Sequence, residues 1–344
     1  MRSCAVGPPR PGDAAAHADV APHADAREIR RDDALGCPDV EVVALLVLGR
    51  AGRRGLGGAA AHLDDEVGQH EDEGDRRDPL EDAEDPEDLR LIHPAVYMSE
   101  EDIDYTVKEI EYLYENTDKA IVLLFAGQLV EQAQRDFGFE PFYCNMAIEK
   151  DLMHSYFRMI TDIYMKNLRR ILERAGDKID VVWFCDDIGT QQTLQFSIPM
   201  YREMIKPYAS EMWGYIHENY PDIRVLYHSC GAIFDLIPDL IEAGVDLLNP
   251  VQISAKGMDP QKLKDTYGKQ LMFWGGGTDT QSLANLTDLD AVRDNARHLL
   301  EIFAKNGNYV FTQVHNFQAD VPPEKILAIF ETAKQYREEL EAGQ

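Results

Sequence analysis

From Val96 onward the sequence alternates strictly between short apolar runs, typical of buried strands, and longer stretches with helical spacing. Such alternation indicates an α/β fold in which parallel strands are joined by right-handed helical crossovers. The six predicted strands cover residues 120–125, 181–185, 223–227, 245–248, 271–274 and 309–314. Six strands in about 250 residues favour a TIM (β/α)8 barrel whose first two strands would have to come from residues 1–96. A doubly wound open sheet is the alternative, but no glycine-rich phosphate turn follows an early strand.

Predicted helices fill the intervals between these strands. Ser99 precedes three acidic residues and is a predicted N-cap, because acids in the first turn favour the positive end of a helix. The remaining predicted helices cover residues 150–174, 199–220, 235–243, 259–267 and 289–305, with a last one from residue 322.

Residues 1–96 differ in composition from residues 97–344, and we predict a boundary there. The first segment contains no Lys, Asn, Thr, Phe, Tyr or Trp, whereas all aromatic residues lie in the second. Two interpretations compete: a low-complexity, disordered extension, or a GC-rich coding region read in the wrong frame. One apolar run, residues 40–48, could form a strand or a helix turn. The second segment is predicted to be the barrel domain.

The net charge of −28 argues against nucleic acid or an anionic membrane surface as a partner, because both require clustered Lys and Arg. No apolar run reaches the roughly 20 residues of a membrane helix, and the opening residues do not resemble a secretory signal. The five cysteines are irregularly spaced in a long chain, so a disulfide framework is not expected. We therefore expect a cytoplasmic protein that acts on a small-molecule substrate; the oligomeric state is left open.

A pair of soft metal ligands follows the predicted strand at residues 223–227. His228 and Cys230 are two residues apart, so on an extended chain they point the same way and can converge on one ion. Imidazole and thiolate are ligands that zinc prefers, but a third ligand is needed. His315 follows the last predicted strand, and strands of one parallel sheet share their carboxyl edge. We predict a zinc site of His228, Cys230 and His315, although His315 could also be a hydrogen-bonded core histidine.

Other polar residues follow the predicted strands at the same edge, where barrels bind substrates. Asp186 and Asp187 are the predicted catalytic residues, although they could instead cap a helix. The predicted substrate-binding residues are Asn249, Gln252, Asp279, Gln281, Gly275 and Gly276. Asn249 precedes a proline and could be only a turn residue, and the glycines could be only a flexible loop.

Five stretches carry a resemblance to a known family: FAGQLVEQAQRDFGFEPFY, FCDDIGTQ, YHSCGAIFDLIPDLIEAGVDLLNPVQISAKGMDP, FWGGGTDTQ and VHNFQADVPPEKI. From about Lys119 to the C-terminus the chain resembles the uroporphyrinogen decarboxylase superfamily, particularly its cobalamin-dependent methyltransferase branch. The resemblance implies a (β/α)8 barrel with its site at the carboxyl edge. Methyltransferase members hold zinc on a His-X-Cys pair and a later Cys. Here His228 and Cys230 match the pair, and His315 occupies the later position.

The resemblance implies a zinc-dependent methyltransferase that moves a methyl group between a corrinoid (cobalamin) and a thiol or methoxylated small molecule. The corrinoid would arrive on a separate protein. The alternative is a uroporphyrinogen decarboxylase of porphyrin biosynthesis, which needs cationic groups for the substrate carboxylates. A second alternative is an inactive product with a disrupted barrel, because exposed strand edges favour aggregation.

Overall fold

The computed structural model describes residues 45–48, 95–286 and 288–342. Within these residues, parallel strands alternate with helices as the sequence predicted. The strands are β1 (Leu45–Leu48), β2 (Ile121–Ala126), β3 (Val181–Cys185), β4 (Arg224–His228), β5 (Leu247–Asn249), β6 (Met272–Trp274) and β7 (Tyr309–Val310). The helices are α1 (Glu100–Asn116), α2 (Val130–Phe137), α3 (Phe139–Ile148), α4 (Lys150–Ala175), α5 (Ile198–Met204), α6 (Lys206–Asn219), α7 (Ile237–Ala243), α8 (Pro260–Tyr267), α9 (Leu289–Phe303) and α10 (Pro323–Ala342).

The strands form one parallel sheet whose spatial order, β1 to β7, follows the order along the chain. This order, with at least one helix after each described strand, is the arrangement of a TIM barrel, so the predicted fold class is confirmed. β1 lies inside the compositionally unusual segment and pairs in parallel with β2, with Leu45 opposite Ile121. The rest of that segment up to residue 94 lies outside the described residues, so the predicted boundary at residue 96 stays a prediction.

Alternate residues of β2 to β7 face two different apolar layers. Val122, Val181, Leu226, Leu247 and Trp274 pack together as one cluster in the barrel interior. Their sequence neighbours on the strands pack against the surrounding helices in a much larger cluster. This two-residue period fixes which strand residues point inward at the carboxyl edge.

Two features of the helical layer differ from the sequence prediction. The predicted helix at residues 199–220 is two helices, because α5 ends at Met204 and α6 begins at Lys206-Pro207, with Ile205 at φ −115° between them. Proline lacks an N–H and restricts the residues before it, which favours a new helix start. The helices α2 and α3 were not predicted. The last predicted strand, 309–314, is only Tyr309–Val310, although the chain beyond it stays hydrogen-bonded to the segment after β6, with the Gly277 N–H donating to the Thr312 carbonyl at 2.8 Å.

No helix within the described residues is both long enough and apolar enough to cross a membrane.

Local caps and buried apolar side chains stabilise the helices of the outer layer. Ser99 caps α1 as predicted, its hydroxyl accepting the Asp102 N–H at 3.1 Å. Ile103, Val107 and Ile110 of that helix are buried.

An ion pair at the amino end of β5 predicts a pH dependence of stability. His217 Nε2 lies 2.9 Å from Asp246 Oδ2, and this hydrogen bond raises the pKa of His217 above its ordinary value. Because the folded pKa exceeds the unfolded one, the stabilisation is complete below about pH 6.5 and disappears as the pH rises through the folded pKa. The imidazole is partly exposed, so we expect less than about 1 kcal/mol.

Urea unfolding of the wild type and of His217→Asn, measured from pH 5.5 to 9, checks this. The difference in unfolding free energy between the two proteins should shrink with rising pH. His298→Asn, at an exposed position of α9, is the control for the substitution itself. A difference that is constant with pH would contradict the assigned ion pair.

Candidate metal centre

Three neighbouring strands bring the polar residues together at the carboxyl edge. The register places Cys185 of β3 opposite His228 of β4, and His228 opposite Asn249 of β5. Each of the three lies two residues beyond an interior residue of its strand, namely Trp183, Leu226 and Leu247. They therefore form the last inward-facing layer before the loops.

Asp187, His228 and Cys230 offer one ligand atom each, and these atoms all lie within 4.8 Å of one another. His228 Nε2 lies 3.7 Å from Cys230 Sγ and 3.7 Å from Asp187 Oδ1. The imidazole side chain is 21% exposed and the carboxylate 39%, so the cluster is reachable from outside. Carboxylate, imidazole and thiolate are all ligands that zinc takes in proteins.

The loops that carry Asp187 and Cys230 are in direct backbone contact. Asp187 Oδ1 accepts the Cys230 N–H at 2.8 Å. Gly231 has φ +95°, and a Cβ atom there would lie 2.4 Å from the carbonyl carbon of Gly189, so only glycine fits. These contacts fix the spacing between the carboxylate and the thiol.

Asn249 contacts the imidazole from the side opposite to the other two ligand atoms. Its Oδ1 is hydrogen-bonded to His228 Nδ1, and its Nδ2 donates to the Trp274 carbonyl at 2.9 Å. The Asn249 side chain is 6% exposed. The predicted substrate-binding residue thus lies beneath the cluster, at the end of β5.

Gln252 supports the backbone that follows Cys230. Its Oε1 accepts the Gly231 N–H at 2.7 Å, and its Nε2 donates to Gln191 Oε1 at 2.7 Å. Gln191 donates in turn to the Ser254 carbonyl at 2.7 Å. Gln252, also a predicted substrate-binding residue, is 8% exposed and its amide is fully engaged in this chain of hydrogen bonds.

Asp186 is placed as a helix cap and points away from the cluster. Its carboxylate accepts the N–H groups of Leu129, Val130 and Glu131 at 2.7 to 3.0 Å, at the start of α2. Three N–H groups at a helix N-terminus favour the charged carboxylate, but burial and the nearby Glu131 raise the pKa of Asp186 to about 7. Asp186 therefore acts as a helix cap, which was the alternative to a catalytic role. The helix that it caps, α2, lies earlier in the chain than Asp186.

The charges around the cluster are mainly negative. Burial and the neighbouring Asp187 raise the pKa of the Cys230 thiol to about 12. Burial lowers the pKa of His228, so the imidazole is neutral at pH 7. Burial and Asp187 also raise the pKa of Glu131, whereas the nearby Arg135 lowers it by a smaller amount. A cation between these groups would stabilise the thiolate and the carboxylates together.

The other predicted site residues lie on the segments after β6 and β7. His315 is exposed, and its ring centre lies 6.5 Å from that of His228. The ligand atoms that lie within 4.8 Å of one another are those of Asp187, His228 and Cys230. Asp279 accepts the Gln281 N–H at 3.3 Å in a turn after β6. Gly275 and Gly276 are buried, with the Gly276 N–H donating to the Pro250 carbonyl at 3.0 Å.

Several neighbours of the cluster were not predicted as site residues. The Trp183 ring lies 6.1 Å from that of His228 and 6.4 Å from that of Trp274, so two indoles lie inside the barrel next to the imidazole. Trp183 lies two residues before Cys185 on β3, and this two-residue spacing is the sequence signal that would have placed its side chain inside. Glu131 and Gln191 carry no such signal, because both lie on segments outside the strands.

The sequence profile of the family described as "Uroporphyrinogen decarboxylase (URO-D)" matches residues 67–336, more than three quarters of the chain. The chain belongs to the uroporphyrinogen decarboxylase family. Members of this family are generally enzymes, decarboxylases or methyltransferases. The family match therefore confirms the predicted superfamily and leaves the type of reaction to the residues of the site.

No curated protein matches this family member. Among solved structures, a psychrophilic glycoside hydrolase family 10 endo-β-1,4-xylanase is similar at 11% identity and a TM-score of 0.37. The alignment covers 71% of this chain and 70% of the xylanase chain. At this distance the likeness carries no information on activity.

Proposed function

We propose that this family member is a zinc-dependent methyltransferase that moves a methyl group between a corrinoid and a small molecule. The observation that carries the proposal is the convergence of Asp187, His228 and Cys230, with their ligand atoms within 4.8 Å of one another. A thiol, an imidazole and a carboxylate in one cluster form a donor set for a soft or borderline divalent metal. Simple decarboxylation gives no reason for a thiol next to the imidazole.

The donor set fits zinc in charge as well as in chemistry. One thiolate and one carboxylate balance two positive charges, and a neutral imidazole completes three protein ligands, the number typical of catalytic zinc sites. Burial and Asp187 raise the pKa of the Cys230 thiol to about 12, and a bound metal would favour the thiolate instead. When bound, zinc would activate a thiol as thiolate or polarise a methoxy oxygen through its open position.

The protein residues would position the substrate and exclude water. Trp183 is partly exposed and its ring centre lies 6.1 Å from that of His228, so it offers an indole surface against which an apolar or aromatic substrate group would pack. His315 is exposed and faces His228, so it would contact a group bound at the centre from the β7 side. The corrinoid would be a co-substrate that takes or gives the methyl group, delivered at this open edge by a partner protein.

Uroporphyrinogen decarboxylation is the second candidate, because the matching family is named for it. A porphyrinogen with several carboxylates would need basic side chains at the mouth. Within the described residues, Arg135 acts electrostatically on Glu131 and Cys185, but its guanidinium hydrogen-bonds to Gln128 and Gln132. The acids Asp187 and Glu131 at the same edge would repel such a substrate.

Metal analysis of matched variants tests which ligands hold the zinc. We expect about one zinc per chain in the wild type, loss of zinc in Asp187→Asn, and retention in His315→Asn, because the Asp187 carboxylate lies in the cluster. Zinc that is lost in His315→Asn and kept in Asp187→Asn would restore the set of His228, Cys230 and His315. A wild type that binds no zinc at any concentration tested would contradict the proposal.

An activity assay tests the reaction itself. Incubation with methylcobalamin and simple thiols, or with cob(I)alamin and methoxylated aromatics, should change the cobalamin absorption spectrum as the methyl group moves. Uroporphyrinogen should lose no carbon dioxide under the same conditions. The opposite pair of results would establish the decarboxylase.

A further inference from the structure

The contacts of Asn249 determine which nitrogen of His228 carries the proton. The Trp274 carbonyl can only accept a hydrogen bond, so the Asn249 atom 2.9 Å from it must be the amide nitrogen. The Asn249 oxygen therefore faces His228 Nδ1, with which it is hydrogen-bonded. Because that oxygen can only accept, Nδ1 must be the donor.

We infer that Asn249 is a positioning residue that keeps the proton of His228 on Nδ1 and so presents the Nε2 lone pair to Asp187 and Cys230. This inference rests on the proposed function, since it explains how the imidazole would be ready for a metal. With the proton on Nδ1, the atom 3.7 Å from both Cys230 Sγ and Asp187 Oδ1 is an unprotonated nitrogen. A metal binds imidazole only through such a lone pair.

The local structure holds Asn249 for this task. It is the last residue of β5, opposite His228 in the register, so its side chain points inward beside the imidazole. The main chain adds to the placement, because the Asn249 carbonyl accepts the Ser229 N–H at 2.8 Å. At 6% exposure, and with both amide atoms engaged on protein groups, Asn249 is not free to bind a substrate.

Zinc titration of two variants tests the inference against a matched control. Asn249→Ala removes the acceptor and should weaken zinc binding about 10- to 100-fold, as loss of such a partner typically does. Asn249→Asp keeps an oxygen beside Nδ1 but gives up the donor to the Trp274 carbonyl, so it should lose less zinc affinity than Asn249→Ala. Asn145→Ala, also at 6% exposure but on α3, controls for the loss of a buried asparagine and should not change the affinity. Equal loss in Asn249→Ala and Asn249→Asp would overturn the inference.

The metal-free protein gives a readout that does not depend on zinc. Long-range ¹H–¹⁵N NMR of the imidazoles, with His228 assigned by its loss in His228→Gln, should show the proton on Nδ1 in the wild type and a mixture of tautomers in Asn249→Ala. A wild-type proton on Nε2 would overturn the inference even if Asn249→Ala fails to fold. A proton on Nδ1 in a protein that binds no zinc would refute the proposed function and leave the role of Asn249 intact.

Discussion

Cys230→Ser is expected to lower the zinc affinity by more than about 100-fold and to reduce methyl transfer to the background rate. Loss of a residue that merely orients a ligand already costs about 10- to 100-fold, so loss of a ligand should cost more. A serine hydroxyl also ionises far less readily than a thiol and is not among the usual ligands of zinc. Zinc content after dialysis and the cobalamin-coupled assay together measure the effect.

The matched control for this change is Cys144→Ser. Cys144 is an exposed free cysteine on α3, so the same chemical substitution there should leave zinc content and activity unchanged. Circular dichroism of both variants separates loss of metal from loss of fold. A Cys230→Ser protein that keeps both its zinc and its activity would remove Cys230 from the site.

Gly275→Ala is expected to lower the free energy of unfolding by about 4 kcal/mol or more, the range reached by severe backbone and packing conflicts. Gly275 has φ +135°, which residues with a Cβ rarely adopt, and an added Cβ would lie 1.9 Å from the Pro250 carbonyl oxygen. The glycine also donates its N–H to the Val310 carbonyl at 3.1 Å. Relief of the clash would therefore separate β6 either from the loop after β5 or from β7.

Gly214→Ala is the matched control, because it makes the same change where there is room. Gly214 lies within α6, and nothing lies within 4 Å of an added Cβ. Alanine should stabilise this helix by about 0.5 to 1 kcal/mol, since glycine loses more backbone entropy on folding. Urea denaturation measures the free energy of unfolding of both variants. Similar values for Gly275→Ala and the wild type would contradict the close contact between Gly275 and the Pro250 carbonyl.

The fold followed from the sequence where apolar runs were continuous. The run at residues 181–185 is the observed β3, because strands buried on both faces leave an uninterrupted apolar signal. Residues 128–149 gave no such signal: the start of α2 is held by Asp186, more than 50 residues away in sequence. Contacts between distant residues leave no local pattern. The break at Ile205, in contrast, was marked by Pro207.

The candidate site was predictable only in its location. The rule that polar residues gather at the carboxyl edge brought His228, Cys230 and Asp187 into one list, and the structure places their ligand atoms together. The rule could not distinguish residues that offer ligand atoms to the centre from residues whose side chains hydrogen-bond to the surrounding protein. Asn249, Gln252 and Asp186 follow strands just as Asp187 does, yet hydrogen bonds engage all three with protein groups. Side-chain direction beyond a strand end depends on loop geometry, which periodicity does not encode.

The contact between Gly189 and Gly231 lowers the conformational entropy that the protein would lose on binding a metal ion. The Ala232 N–H donates to the Thr190 carbonyl at 2.8 Å, and the Cys230 N–H donates to Asp187 Oδ1 at 2.8 Å. The two loops are therefore hydrogen-bonded on both sides of the contact between the glycines. The ligand-bearing segments are thus ordered when the chain folds, and little conformational entropy would remain to be lost when an ion arrives. A centre assembled in this way should bind its metal without any accompanying change in the amide hydrogen exchange of the barrel.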